Sequence, residues 1–233
     1  MRITSTRQLK DKIKNIAKVN RLENNTLLQR FILKDFWKAY QQLSISRFRD
    51  DFILKGGVLI ASMIGSALRS TMHLDTTIKG IDLNKEIIIN IIEEIISINL
   101  DDNTLFKIVN IKNIHEVSKY DDYRVSLQAQ FFSIRVTMKI DITTGDIIIP
   151  EEIEYSYKLM LEEESIHIKA YNLYTILAEK IETILSRNIA NTRARDFYDI
   201  YILFKIYNDK IIINDLKEAI IQKSTERGTL DFF

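Results

Sequence analysis

The spacing of apolar residues changes twice along this chain, and that constrains the fold more than any other feature. Near the start the period is helical. Residues 5–20 and 24–42 read as two helices, the second with Leu27, Leu28, Phe31, Ile32, Asp35, Phe36 and Ala39 on a mostly apolar stripe and Asn25 or Thr26 as its cap. The centre alternates as strands do, at 74–78, 105–114, 123–131, 133–142 and 165–169. An amphipathic helix at 84–99, with Glu93 and Glu94 outward, interrupts the strands, and helical spacing returns at 171–188, 194–207 and 214–226. Residues 52–65 read as a turn at Gly56-Gly57 that opens a helix, and Thr143-Thr144-Gly145-Asp146 as a turn. The expected class is α+β: an N-terminal helical segment over 1–50, a mixed core over 51–170 and a helical C-terminal subdomain over 171–233. One Pro (Pro150) and six Gly leave little room for long linkers.

Charge narrows the function classes only locally. Lys and Arg number 33 against 32 Asp and Glu, so no global excess points to nucleic acid or an anionic membrane. The absence of Cys excludes disulfides, thiolate metal sites and a Cys nucleophile. The densest aliphatic runs, Ile87-Ile88-Ile89 and Ile95-Ile96, are broken by Asn90, Glu93 and Glu94. None approaches the roughly 18 apolar residues of a membrane span, and nothing near Met1 has the form of a signal peptide. A soluble, cytoplasmic protein is expected.

Two segments could carry chemistry. In the first, Gly56-Gly57 lets backbone approach a phosphate, and a following helix N-terminus offers N–H groups to an anion. Downstream, His73 and Asp75 share one face of a strand. Asp141 lies on a later strand; if the two strands are neighbours, His73, Asp75 and Asp141 can meet as a divalent-metal phosphoryl-transfer site. Spacing alone also fits turn glycines and strand-end carboxylates that only cap or solvate. In the second segment, Lys180 falls on a stripe with Leu173, Leu177 and Ile184, and Asp196 and Asp199 share a face of the next helix, whose core side is expected to be Phe197, Ile200, Tyr201 and Phe204. A helix pair cross-linked by Lys180 or Arg187 with Asp196 explains that pattern equally. His115 and His167 are lone strand residues without partners at metal-ligand spacing.

Taken together, the segments resemble a known family. Lys55-Gly56-Gly57 followed by Arg69-x-Thr71-x-x-Leu74-Asp75 resembles the opening motif of the AbiEii/AbiGii-type nucleotidyltransferases, toxins of type IV toxin–antitoxin and phage abortive-infection systems. Asp141-Ile142-x-x-Gly145-Asp146, with Pro150 following, resembles the family's next acidic strand and turn. Lys180, Arg187 and Arg195-Asp196-x-x-Asp199-Ile200-Tyr201 resemble its later motif.

The resemblance implies a polymerase-β-like nucleotidyltransferase core with a helical C-terminal part, Mg²⁺ as cofactor and an NTP as substrate, GTP or a pyrimidine NTP among the candidates. It implies an acceptor such as a tRNA 3′ end, and a separately encoded antitoxin that need not touch the toxin. By the same resemblance Asp75, Asp141, Lys180, Asp196 and Asp199 are catalytic. Gly56, Gly57, Arg69, Thr71, Lys180, Arg187 and Arg195 bind nucleotide, and Asp75 and Asp141 bind metal beside His73.

Two departures stand out. The family carries Asp-x-Asp on the metal-binding strand, and His73 occupies the first position. A neutral imidazole removes a negative charge and offers nitrogen to a hard cation, so impaired transfer is expected, the alternative being an inactive nucleotide- or RNA-binding module of the same fold. Relatives also tend to continue further than Phe233, so the last helix is expected to lack a packing partner.

Overall fold

The computed structural model describes residues 5–8, 11, 14, 15, 18, 40–65, 73–99, 104–114, 122–158, 165–187 and 193–232. Most of the two expected N-terminal helices lies outside these residues, as do Arg69, Thr71 and His115; residues 40–44 are helical. The chain then runs β1 (Phe52–Lys55), α1 (Gly56–Ile64), β2 (His73–Ile78), α2 (Lys85–Ser97), β3 (Thr104–Asn113), β4 (Tyr123–Phe131) and β5 (Ile134–Thr144). It continues with β6 (Ile153–Lys158), β7 (Ser165–Ala170), α3 (Leu173–Arg187), α4 (Ala194–Tyr207) and α5 (Ile213–Glu226). The described strands make one seven-stranded sheet in the order β3-β4-β5-β2-β1-β7-β6. Pairing is antiparallel except for β2 with β5 and β1 with β7, which are parallel.

The centre of the sheet is the core. β1 lies between β2 and β7, and all four of its residues are buried. β5 alternates instead: Met138, Ile140 and Ile142 are buried, while Lys139, Asp141 and Thr143 point to the opposite face. That alternation delivers Asp141 to the same face as Asp75. Helix α2 begins where the Asn84 side chain accepts the Ile87 N–H at 2.9 Å, and it buries Ile88, Ile91, Ile92 and Ile95 while Glu93 and Glu94 stay outside. Gln42 donates to the carbonyls of Ile96 and Ile98, which supplies partners to the open end of α2.

The loop after β5 is fastened to α3. Asn172 accepts the Thr175 N–H at 2.9 Å and donates to the carbonyls of Ile149 and Glu151, on either side of Pro150. Helix α5 packs along α3 and buries Leu216, Ala219, Lys223 and Ser224, so the last helix does have a partner. The turn after it is closed by Arg227, bonded to Glu179 at 2.7 Å and to Glu182, and by Thr229, which donates to Glu182 at 2.9 Å.

Two strands differ from the sequence reading. Phe52–Lys55 is a strand that leads straight into the glycines. Ile153–Lys158, to which the sequence reading assigns no element, is an edge strand paired to β7. Its Tyr155 and Tyr157 are only half-buried between exposed Glu154, Ser156 and Lys158, so its apolar alternation is weak.

Candidate active site

Four charged residues form a row across the sheet. Lys55 of β1 is in register with Asp75 of β2, Asp75 with Asp141 of β5, and Asp141 with Arg124 of β4. Directly paired residues share a face, so two neighbouring carboxylates are flanked by two cations. Asp141 is held at both oxygens: Arg124 Nε donates to Oδ1 and Nη2 to Oδ2, each at 2.6 Å. These bonds raise the guanidinium pKa further above its ordinary value, against a smaller opposing effect of burial.

Asp75 sits against the start of α1. Gly56 opens that helix at φ +68°, and a Cβ there would lie 2.2 Å from Asp75 Oδ2. Gly is therefore required on two counts, the left-handed backbone and the close approach of the carboxylate. The Gly57 N–H donates to Asp75 Oδ2 across a long 3.4 Å. Burial pushes the Asp75 carboxyl above the usual range, the Gly57 N–H pulls against it, and the Asp141 charge pushes it further up.

Lys55 is turned away from Asp75 into a buried network. Its Nζ donates to Asp146 Oδ2 at 2.5 Å and to Thr143 Oγ1 at 2.7 Å. Asp146 also pairs with Lys223 of α5 at 3.2 Å, and Lys223 reaches Glu226 at 2.8 Å. Burial alone would depress the Lys55 ammonium, but Asp146 and Glu179 outweigh it and raise its pKa. Burial would likewise raise Asp146, yet Lys55 and Lys223 hold it far below the carboxylate range. Glu179 follows the same logic, lowered by Lys55 and Arg227 against its own burial. The network joins the end of β1 to the C-terminal helix.

The second segment forms a separate cluster. Lys180 Nζ lies 2.5 Å from Asp196 Oδ1 and 3.2 Å from Asp199 Oδ2, and Arg193 Nε lies 3.1 Å from Asp196 Oδ2. Both aspartates are fully buried. The core side of α4 is therefore Asp196, Asp199 and Leu203, with the expected Ile200 and Phe204 half-buried against the core, whereas the expected Phe197 and Tyr201 are 53% and 60% exposed. The helix is rotated so that its carboxylates meet the buried ammonium, which outranks the apolar count. Lys180 is engaged by this pair and not by the Asp75 row. Arg187, the last residue of α3, and Arg195, in the first turn of α4, are exposed.

His73 stands at the exposed head of β2, in register with Lys139, two pairs from the carboxylates. It shares their face but adds no oxygen donor. Asp75 and Asp141 suit one divalent ion: both offer hard oxygens from one face of the sheet. Among the described residues no group of three or more acidic, His or Cys side chains converges on one point. Sequence reasoning assigned no role to Lys55, Arg124, Asp146, Glu179 or Lys223. The first had a local signal, a Lys directly before Gly-Gly; Arg124 became visible only through the β4–β5 register.

The family profile described as nucleotidyl transferase AbiEii toxin, type IV toxin–antitoxin system, matches residues 38–232. The chain belongs to the AbiEii family. The AbiEii match spans β1 to α5, and so takes in both the charged row and the Lys180 cluster. Among solved structures, JHP933 from Helicobacter pylori is similar with a TM-score of 0.52 at 18% identity, over 90% of this chain and 78% of that one. The antibiotic-resistance factor ANT(2'')-Ia is similar with a TM-score of 0.50 at 9% identity, over 88% of this chain and 96% of that one. No curated protein is significantly similar in sequence. The likenesses bear out the α+β nucleotidyltransferase fold of an AbiEii protein. Among the described residues no helix is long and apolar enough to cross a membrane.

Proposed function

We propose that this AbiEii protein transfers a nucleoside monophosphate from an NTP to an acceptor hydroxyl, an RNA 3′ end such as that of tRNA. The observation that carries the proposal is the in-register pair Asp75–Asp141 beside the N-terminus of α1. In the reaction the acceptor oxygen bonds to the α-phosphorus, the bond from that phosphorus to the β-phosphate oxygen breaks, and pyrophosphate leaves. A divalent cation, Mg²⁺ by family, held by Asp75 and Asp141 would neutralise phosphate charge as the leaving group departs.

The chain's own residues divide the remaining work. Gly56 and Gly57 keep side chains away from the start of α1, where triphosphate oxygens would approach beside Asp75. Asp141 serves either as that metal ligand or, in its stead, as the base that receives the acceptor's proton. Lys180, paired with Asp196 and Asp199, serves as a point charge toward phosphate. Arg187 and Arg195, both exposed, are suited to nucleotide phosphates. By family, a separately encoded antitoxin controls the activity.

His73 and the Arg124 clamp favour a second reading, a nucleotide-binding module without transfer. Incubating total RNA with each labelled NTP and Mg²⁺ separates the two. Transfer by the protein or by His73→Asp supports the enzyme; nucleotide binding without labelling in both supports the module.

A further inference from the structure

The two cations of the charged row have different commitments. Lys55 is fixed by Thr143 and Asp146, both outside the row. Arg124 is fixed by Asp141, one of the two carboxylates a divalent ion would need. Its fork covers both oxygens of that carboxylate, in a geometry that leaves few lone pairs turned outward. At the family's other carboxylate position stands His73, in register with Lys139. An incoming cation therefore meets an Asp141 that is already neutralised.

The surroundings make the Arg124 contact reversible. Its side chain is 34% exposed, whereas that of Asp141 is 17% exposed. The guanidinium can swing toward solvent while the carboxylate stays in place on β5. With Arg124 in position, Asp75 and Asp141 can stand side by side without metal, because one charge of the pair is cancelled.

We propose that Arg124 is a built-in competitor of the divalent cation: it occupies Asp141 in the metal-free protein and must leave that carboxylate for metal to bind. The inference rests on the metal-dependent reading of this site. Arg124 is on this view a positioning residue that sets the cation concentration at which the site fills. The competition is for the same oxygens, so removing the guanidinium strengthens cation binding even though it removes a contact.

The test is Mn²⁺ titration of the full chain, followed by the paramagnetic resonance signal of free Mn²⁺, for the wild type, Arg124→Gln, Arg124→Lys and Arg124→Gln/Asp141→Asn. Arg124→Gln is expected to bind Mn²⁺ about tenfold tighter than the wild type or better, matching the loss of a charge-assisted bidentate contact. Arg124→Lys should fall between, and adding Asp141→Asn should abolish the gain. Equal or weaker binding by folded Arg124→Gln overturns the proposal and makes Arg124 a brace that orients Asp141 for metal. Absence of Mn²⁺ binding in every protein overturns it as well. Should Arg124→Gln fail to fold, the wild type still decides: the Arg124 Nε–H resonance must shift when Mg²⁺ is added, and an unmoved resonance at saturation contradicts the proposal. Nucleotide transfer is measured separately, so labelling by His73→Asp without a gain in Arg124→Gln defeats this inference alone.

Discussion

A methyl group on Gly56 would sit 2.2 Å from Asp75 Oδ2, so the first residue of α1 and the central carboxylate are built against each other. Gly56→Ala must therefore move the carboxylate or the helix start, and it also forces a side chain onto φ +68°. The expected loss of stability is about 1–3 kcal/mol. Thermal melts check the loss, and Mn²⁺ affinity should fall with it because Asp75 is displaced. A Gly56→Ala protein with unchanged melting and metal affinity would show that the contact is not constraining.

Asp75→Asn is expected to stabilise the fold at neutral pH while destroying function. Burial raises the Asp75 pKa in the folded chain above its unfolded value. The stability linked to this group is then complete below the unfolded pKa and declines as pH rises through the folded one. At pH 7 the ionised carboxylate is a burden that asparagine removes. The melting temperature of Asp75→Asn should exceed that of the wild type at pH 7, and the gap should shrink on acidification. A lower melting temperature at pH 7 would mean that the carboxylate is already neutralised in the fold.

Asp146 has the opposite sign. Although burial opposes it, Lys55 and Lys223 hold its folded pKa below the unfolded value. Its contribution is present above the unfolded pKa and is lost as pH falls through the carboxylate range toward the folded one. Asp146→Asn leaves Lys55 and Lys223 buried without their shared partner, an expected cost of about 3–5 kcal/mol at pH 7. The wild type and variant should converge in acid. Parallel melting curves across that range would contradict the ion-pair account.

The Lys180 cluster separates a structural cross-link from a functional one. Lys180→Met takes the ammonium from two buried carboxylates, Asp199 and Asp196, the latter still paired with Arg193, and should destabilise the fold by about 3–5 kcal/mol. If Lys180 also meets phosphate, NTP affinity measured by calorimetry on the folded variant must drop. Unchanged affinity would confine Lys180 to holding α3 against α4.

Much of this site was legible in the sequence because its parts are local. Gly-Gly marks a turn into a helix, and the alternation around Asp75 and Asp141 assigns each to a strand face. That the strands are neighbours, and in register, is a property of the sheet order and could be stated only as a condition. Arg124 was invisible for the same reason: it acts through pairing with a strand beyond its own. Phe197 and Tyr201 were misplaced because apolar spacing was counted without the buried ammonium that turns Asp196 and Asp199 inward. The β6 strand escaped because only Tyr155 and Tyr157 are half-buried and its other four residues are exposed, which leaves a weak alternation.

The most direct measurement is transfer of label from α-³²P NTPs to total RNA in Mg²⁺ by the protein, His73→Asp and His73→Asp/Asp75→Asn. The account predicts that His73→Asp labels RNA more strongly than the protein itself, and that adding Asp75→Asn abolishes labelling. Labelling that survives Asp75→Asn, or none from His73→Asp under any NTP, would contradict a nucleotidyl-transfer site at the Asp75–Asp141 pair.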